Sequence, residues 1–143
     1  MIAIDTNLLV YAHRSATPEH RAARRAIERA AAHERSWGIA AASVSEFWAV
    51  VTHSTARGRP SGPAEASRFL RALIESGGMA IWRPGEAFGE RFVQLAEDLD
   101  VRGARIYDLQ IGLTALDNGA FELWTHDHDF VRIPGLRLRD PLV

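Results

Sequence analysis

Short unbroken apolar runs alternate along this chain with longer stretches whose apolar residues recur every three or four positions, which predicts strands separated by helices. The first run, Met1-Ile2-Ala3-Ile4, stops at Asp5 and reads as a short buried strand with a carboxylate where it ends. Trp37-Gly38-Ile39-Ala40, Met79-Ala80-Ile81-Trp82 and Phe121-Glu122-Leu123-Trp124-Thr125 supply three more strands, and a short final strand ends near Pro141. Helices are expected over about residues 18–32, 43–51, 64–75, 86–99 and 106–118. Thr17-Pro18-Glu19 has the grammar of a helix start, with a hydroxyl cap, Pro at the first helical position and an acid in the first turn. Ser43-x-x-Glu46 matches a capping box, and Gly77-Gly78 and Gly119 close helices. The breaker-rich segment Arg57-Gly58-Arg59-Pro60-Ser61-Gly62-Pro63 reads as an exposed loop rather than an interdomain linker. Phe88, Phe92, Leu95 and Leu99 fall at core spacing, so packing explains these aromatics better than cofactor contacts.

Strands alternating with helices imply right-handed crossovers and a parallel sheet covered on both faces. The expected fold is therefore α/β, a three-layer α/β/α sandwich with a central, mostly parallel sheet of four to five strands. At 143 residues the chain suits a single domain spanning 1–143, long enough to bury roughly two-thirds of its unfolded surface. No segment approaches the ~18 apolar residues of a membrane span, so no transmembrane helix is expected. Asp5 interrupts the apolar residues too early for a secretory signal, so the protein is expected in the cytosol. The absence of cysteine removes disulfides, thiolate zinc sites and a cysteine nucleophile, leaving oxygen and imidazole as metal ligands. A formal net charge of -1 provides no global attraction for nucleic acid, so such binding needs a local patch. All 17 basic residues are Arg; this suits bidentate phosphate contacts, although genomic base composition explains it more simply.

Four acids fall at equivalent places: Asp5 after the first strand, Glu46 in the helix after the second, Asp108 opening a late helix, and Asp127 after the fourth strand. Each has a structural alternative. Asp5 can cap a turn, Glu46 can complete the capping box, Asp108 can offset a helix dipole by about 0.3–1 kcal/mol, and Asp127 can be an ordinary loop acid. Ligands of open α/β sheets gather at the carboxyl edge, where all four can converge. Carboxylates that close repel one another, and one takes up a proton unless a divalent cation neutralises the cluster. An oxygen-only site suits Mg²⁺ or Mn²⁺, and the chemistry suggested is metal-assisted phosphodiester hydrolysis. His126 and His128 bracket Asp127, but neighbours two apart in an extended segment point to opposite sides, so a histidine metal site is not expected. His13, His20, His33 and His53 read as surface or helix-flank residues. Arg102 and Arg105, just before Asp108, are candidates for contacting a phosphate backbone, with solvated loop charges as the alternative; Arg14, Arg57 and Arg59 are weaker candidates.

Ile4-Asp5-Thr6-Asn7-Leu8-Leu9-Val10-Tyr11-Ala12, Ser45-Glu46, Asp108 before an apolar helix, and Thr125-His126-Asp127-His128-Asp129-Phe130 with the following Pro134-Gly135-Leu136 together resemble the PIN-domain family. Within it the resemblance is to VapC-type toxin ribonucleases and covers essentially the whole chain. It implies an endoribonuclease dependent on Mg²⁺ or Mn²⁺, a homodimer, and a VapB-like antitoxin that binds and inhibits it. By position, it makes Asp5, Glu46, Asp108 and Asp127 the acidic residues, with Asp5 and Asp108 as direct metal ligands and Glu46 and Asp127 acting through water. Thr6, Asn7 and Thr125 match small polar positions that hold the acids or a metal water, and Asp129 stands as a substitute for Asp127. An Asp ending a first strand is also similar to haloacid dehalogenase-type phosphatases, but these usually carry a second Asp where this chain has Asn7. No Gly-x-Gly-x-x-Gly or Walker-type loop supports dinucleotide or ATP binding. A module that binds RNA or a partner without cutting it is the non-enzymatic alternative.

Overall fold

The computed structural model describes residues 1–54 and 58–143. In chain order the elements are β1 (Ile2–Ile4), α1 (Thr6–His13), α2 (His20–Ala32), β2 (Trp37–Ala40), α3 (Ala41–Thr52), α4 (Pro63–Glu75), β3 (Ala80–Trp82), α5 (Phe88–Asp98), α6 (Arg105–Asp117), β4 (Glu122–Trp124) and β5 (Arg137–Arg139). The five strands form one sheet in the order β3-β2-β1-β4-β5, and every pairing is parallel. Ile4 pairs with Trp124, which in turn pairs with Arg139, so neighbouring strands end level with one another. The residues that follow them share one carboxyl edge.

Strand residues alternate between two apolar layers, as the pleat requires. Ile2, Ile4, Trp37, Ile39 and Trp124 join buried residues of α1 to α4 in one core, whereas Ala3, Ala40, Leu123 and Trp82 face α6 and the carboxyl-terminal loop in the other. This is the expected α/β/α sandwich, with all five strands parallel. Close packing needs small residues at two contacts. A side chain on Gly38 would meet the Ala80 carbonyl at 2.6 Å, and one on Gly112 would run into Ile133, which lets α6 seat against the turn at residues 133–136. Among the described residues no helix is long and apolar enough to cross a membrane.

Several boundaries depart from the sequence reading for physical reasons. Helix α1 was not expected, because its apolar residues run on from those of β1; the chain turns at Asp5 and buries Leu8, Leu9 and Ala12. Helix α2 starts at His20, since the Thr17 hydroxyl donates backward to the Arg14 carbonyl at 2.8 Å and caps nothing. The capping box also fails. Strand β2 runs directly into α3 with Ala40 as the N-cap, which leaves Ser43 buried within the first turn and its hydroxyl without a partner. Helix α5 has no fully buried residue: Phe92, Leu95 and Leu99 are half-buried, and Phe88 stacks on Phe92 at 5.2 Å.

Candidate active site

Asp5 follows the last residue of β1 and is also the N-cap of α1, so the local fold fixes its backbone from both sides. Its amide donates to the Trp124 carbonyl at 2.9 Å, continuing the pairing with β4. One carboxylate oxygen accepts from the Thr6 amide and the other from the Thr125 hydroxyl, both at 2.7 Å. With 7% of its surface exposed, the carboxyl is pushed up to about 7, chiefly by burial; the two hydrogen bonds oppose that rise, and Asp108 and Glu46 add to it. Asp5 is therefore a cap of α1 and, at the same time, a buried carboxyl with a raised proton affinity beside two other acids.

Glu46, freed from the capping box, has a buried oxygen, Oε1, without a hydrogen-bond partner among the described residues. Burial, then the charge of Asp108, holds its carboxyl above the ordinary range. Asp108 occupies the first turn of α6 and is raised mainly by burial, with hydrogen bonds from Arg105 and the Val131 amide pulling the other way and the charge of Asp127 adding to the rise. Asp5, Glu46 and Asp108 thus lie within electrostatic reach at the carboxyl edge, and Asp127 joins them through Asp108.

The segment after β4 is built around Thr125. Its Oγ1 donates to Asp5 and accepts from the Asp127 amide at 3.0 Å, which aims Asp127 back at the cluster. Asn7 Nδ2 reaches the same hydroxyl at 3.5 Å, while Asn7 Oδ1 and Thr6 Oγ1 are buried without partners. Asp127 Oδ1 accepts from the Asp129 amide at 2.9 Å, and the Asp129 carboxylate is far more exposed, at 83% against 35% for Asp127. Arg105 spans the acids, with its guanidinium at 2.9 Å from Asp127, 3.3 Å from Asp108 and 3.5 Å from Asp129.

The donor set fits a hard divalent cation. It offers carboxylate and amide oxygens, two of which are buried and lack partners, Glu46 Oε1 and Asn7 Oδ1, around a carboxyl whose ionised form burial disfavours. Such a cation lowers the cost of ionising all four acids together.

Beside the cluster lies a groove of about 430 Å³ whose lining includes Arg102, Arg105 and Arg132 together with Asp129. Arg132 was missed by the sequence reading; its only signal was a basic residue three positions after Asp129. Arg102 is exposed and pairs with Asp100 at 3.1 Å. Arg14 lies at the opposite end of α1 from Asp5 and donates to the Val51 and Arg59 carbonyls, which makes it a loop clip, and exposed Arg59 pairs with Glu65. Arg57 lies outside the described residues. Of the flank histidines, His13 is half-buried between the rings of Phe47 and Phe69 and bonds Ser61, a more interior place than expected.

His126 and His128 require a correction. The loop bends after β4 instead of continuing extended, so both rings turn to the same side and meet Asp140 Oδ2, His126 Nδ1 at 2.8 Å and His128 Nε2 at 2.9 Å. The alternation argument fails because it holds only in a strand.

A parallel sheet between two helical layers, with four acids gathered at its carboxyl edge, defines the class: the chain belongs to the PIN domain family, whose model matches residues 2–136. Among its relatives, the chain is 36% identical to "VapC ribonuclease Mb2897" of Mycobacterium bovis, covering 99% of this chain and 96% of that protein. It is 27% identical to "Ribonuclease VapC48" of Mycobacterium tuberculosis, covering 96% and 94%. In fold it is similar to a VapBC2 structure from Rickettsia felis, with a TM-score of 0.71 at 22% identity over 97% of this chain and 98% of that one. It is likewise similar to VapC20 of Mycobacterium tuberculosis, described as a sarcin-ricin loop cleaving toxin, with a TM-score of 0.68 at 14% identity over 91% and 92%.

Proposed function

We propose that the protein is a divalent-metal-dependent endoribonuclease, the toxin of a VapBC-type toxin-antitoxin pair, acting as a single cytoplasmic domain. The observation that carries this reading is the convergence of Asp5, Glu46, Asp108 and Asp127 around buried oxygens that lack partners. The names of its relatives, VapC ribonucleases at up to 36% identity over nearly the whole chain, support the same activity.

In this reading Asp5 and Asp108 would hold Mg²⁺ or Mn²⁺ directly, and Glu46 and Asp127 would hold it through water. Such an ion would supply activation of a water for in-line attack on the phosphorus and offset the charge that develops as the bond to the leaving oxygen breaks. Glu46, whose proton affinity is raised by burial and by Asp108, accepts the proton of the attacking water. Thr6, Asn7 and Thr125 keep the acids in place, and Asp129 supports Asp127 through its amide. Arg102, Arg105 and Arg132 lead the RNA backbone along the groove, where phosphate contacts position the strand without reading its bases. Arg105, paired with Asp108 and Asp127, would compete with a cation for the same carboxylates.

A VapB-like antitoxin and a second copy of the chain are the protein partners in this reading. Val93 on α5 and Tyr107 on α6, 68% and 54% exposed, provide the apolar surface that such contacts cover. No observation favours a phosphatase, since Asn7 stands where a second Asp is needed and its amide is directed to Thr125.

The test is cleavage of single-stranded RNA by the purified protein with Mg²⁺ or Mn²⁺. Cleavage that stops in EDTA and returns with excess metal supports the reading. Cleavage that persists in EDTA, or none with either metal, overturns it.

A further inference from the structure

Asp127 lies between two residues that build a different cluster. His126 Nδ1, His128 Nε2 and a carboxylate oxygen of Asp140 all lie within 4.8 Å of one another. We propose that His126, His128 and Asp140 bind a transition-metal ion of the Zn²⁺ type, at a site whose ligands are separate from the four acids.

Two imidazoles and one carboxylate form a donor set for Zn²⁺, Co²⁺ or Ni²⁺, whereas Mg²⁺ prefers oxygen ligands and retained water. The two clusters of this protein therefore select different ions. The ligands are also held in advance. Asp140, with a side chain only 15% exposed, has its other oxygen fixed by the Leu142 amide at 2.9 Å. The His126 ring meets the Tyr11 ring nearly edge-on, with centroids 6.1 Å apart, and the His128 ring at 5.7 Å. Without metal, both ring nitrogens converge on one carboxylate oxygen. A bound ion takes the place of the protons in those two contacts, with each histidine carrying its proton on the opposite nitrogen. Three protein ligands leave a fourth tetrahedral position for water.

The site continues the β4–β5 pairing past the point where the sheet ends, at the Thr125 amide and the Arg139 carbonyl. His126 and His128 belong to the loop after β4, and Asp140 follows β5 directly. Occupancy fixes the segment that carries Asp127 against the end of β5. The metal binding itself stands independently of the proposed nuclease activity, because its readouts are affinity and spectra rather than RNA cleavage.

The experiment uses untagged full-length protein stripped of metal and titrated with Zn²⁺ by calorimetry. The Asp5→Asn/Asp108→Asn variant, which disables the acidic cluster, is expected to bind one Zn²⁺ that excess Mg²⁺ does not displace. Adding His128→Ala, an exposed ring whose loss leaves the fold intact, weakens Zn²⁺ binding by more than about tenfold, beyond what loss of an outer-shell partner alone begins to cost. Cu²⁺ electron paramagnetic resonance is expected to show two coordinated imidazole nitrogens before this change and one after it. Absence of Zn²⁺ binding in the Asp5→Asn/Asp108→Asn variant, or affinity and spectra unchanged by His128→Ala, overturns the proposal.

Discussion

The Thr125 hydroxyl donates to the Asp5 carboxylate at 2.7 Å, a buried bond between the ends of the central strand β1 and its neighbour β4. The same oxygen accepts from the Asp127 amide, so one small side chain sets the positions of two acids. Thr125→Val keeps the volume and removes both interactions, together with the longer contact from Asn7 Nδ2. It is expected to cost roughly 1–3 kcal/mol of stability in denaturant unfolding, since three polar groups lose a partner, and to raise the Asp5 carboxyl further. Thr125→Ser restores all three. A Thr125→Val protein with wild-type stability and activity would show that the bond matters to neither.

Asp5 makes the metal-free protein sensitive to pH. Its carboxyl rises from 3.8 to about 7 on folding, so the folded state holds a proton that the unfolded state has released. The stability linked to this proton is fully present below about pH 4 and is lost as pH rises through about 7, amounting to about 4 kcal/mol at one pKa unit per 1.36 kcal/mol. In EDTA the melting temperature of wild type should fall across this window, and Asp5→Asn should flatten that part of the profile and melt higher at pH 8. A profile identical in Asp5→Asn would assign the pH dependence to other groups.

Arg105 is the counter-cation of Asp108, Asp127 and Asp129 when no metal is bound. Arg105→Gln is expected to tighten Mn²⁺ binding about two- to fivefold, the range for an exposed charge pair, and to raise KM for RNA through loss of a phosphate contact. Weaker Mn²⁺ binding in Arg105→Gln would mean that the guanidinium organises the acids rather than competing with the ion.

Gly112 lets α6, which carries Asp108, pack directly on Ile133 and Leu136. Gly112→Ala meets only the terminal methyls of Ile133 and Leu136, which can turn aside, so the cost of overfilling and the helix propensity gained are expected to offset each other to within about 1 kcal/mol in thermal melts. A loss above about 3 kcal/mol, with a fall in kcat on the same preparation, would show that α6 cannot be seated there without moving.

The layer order of the fold was legible in the strand runs because each is short and separated from the next by amphipathic spacing, and the inner strands β1 and β2 are buried throughout, unlike the edge strands β3 and β5. Helix α1 was hidden because burial makes the apolar residues on both sides of Asp5 look alike, and α1 ends against the core rather than presenting a polar face. The four acids were legible as residues that the fold brings to one sheet edge, yet their structural alternatives resolved differently: Asp5 does cap α1, while Glu46 caps nothing. The histidine pair was misjudged because its direction depends on a bend that local sequence does not announce. Arg132 was missed because proximity to the groove comes from how the turn after β4 folds back over α6.

The most direct test of the central claim is the cleavage rate of Asp108→Asn on single-stranded RNA at saturating Mg²⁺, with circular dichroism confirming a folded protein. The account predicts a loss on the order of a hundred- to a thousandfold, the scale on which a single group that stabilises charge in the transition state acts. A folded Asp108→Asn protein that cleaves at the wild-type rate would contradict it.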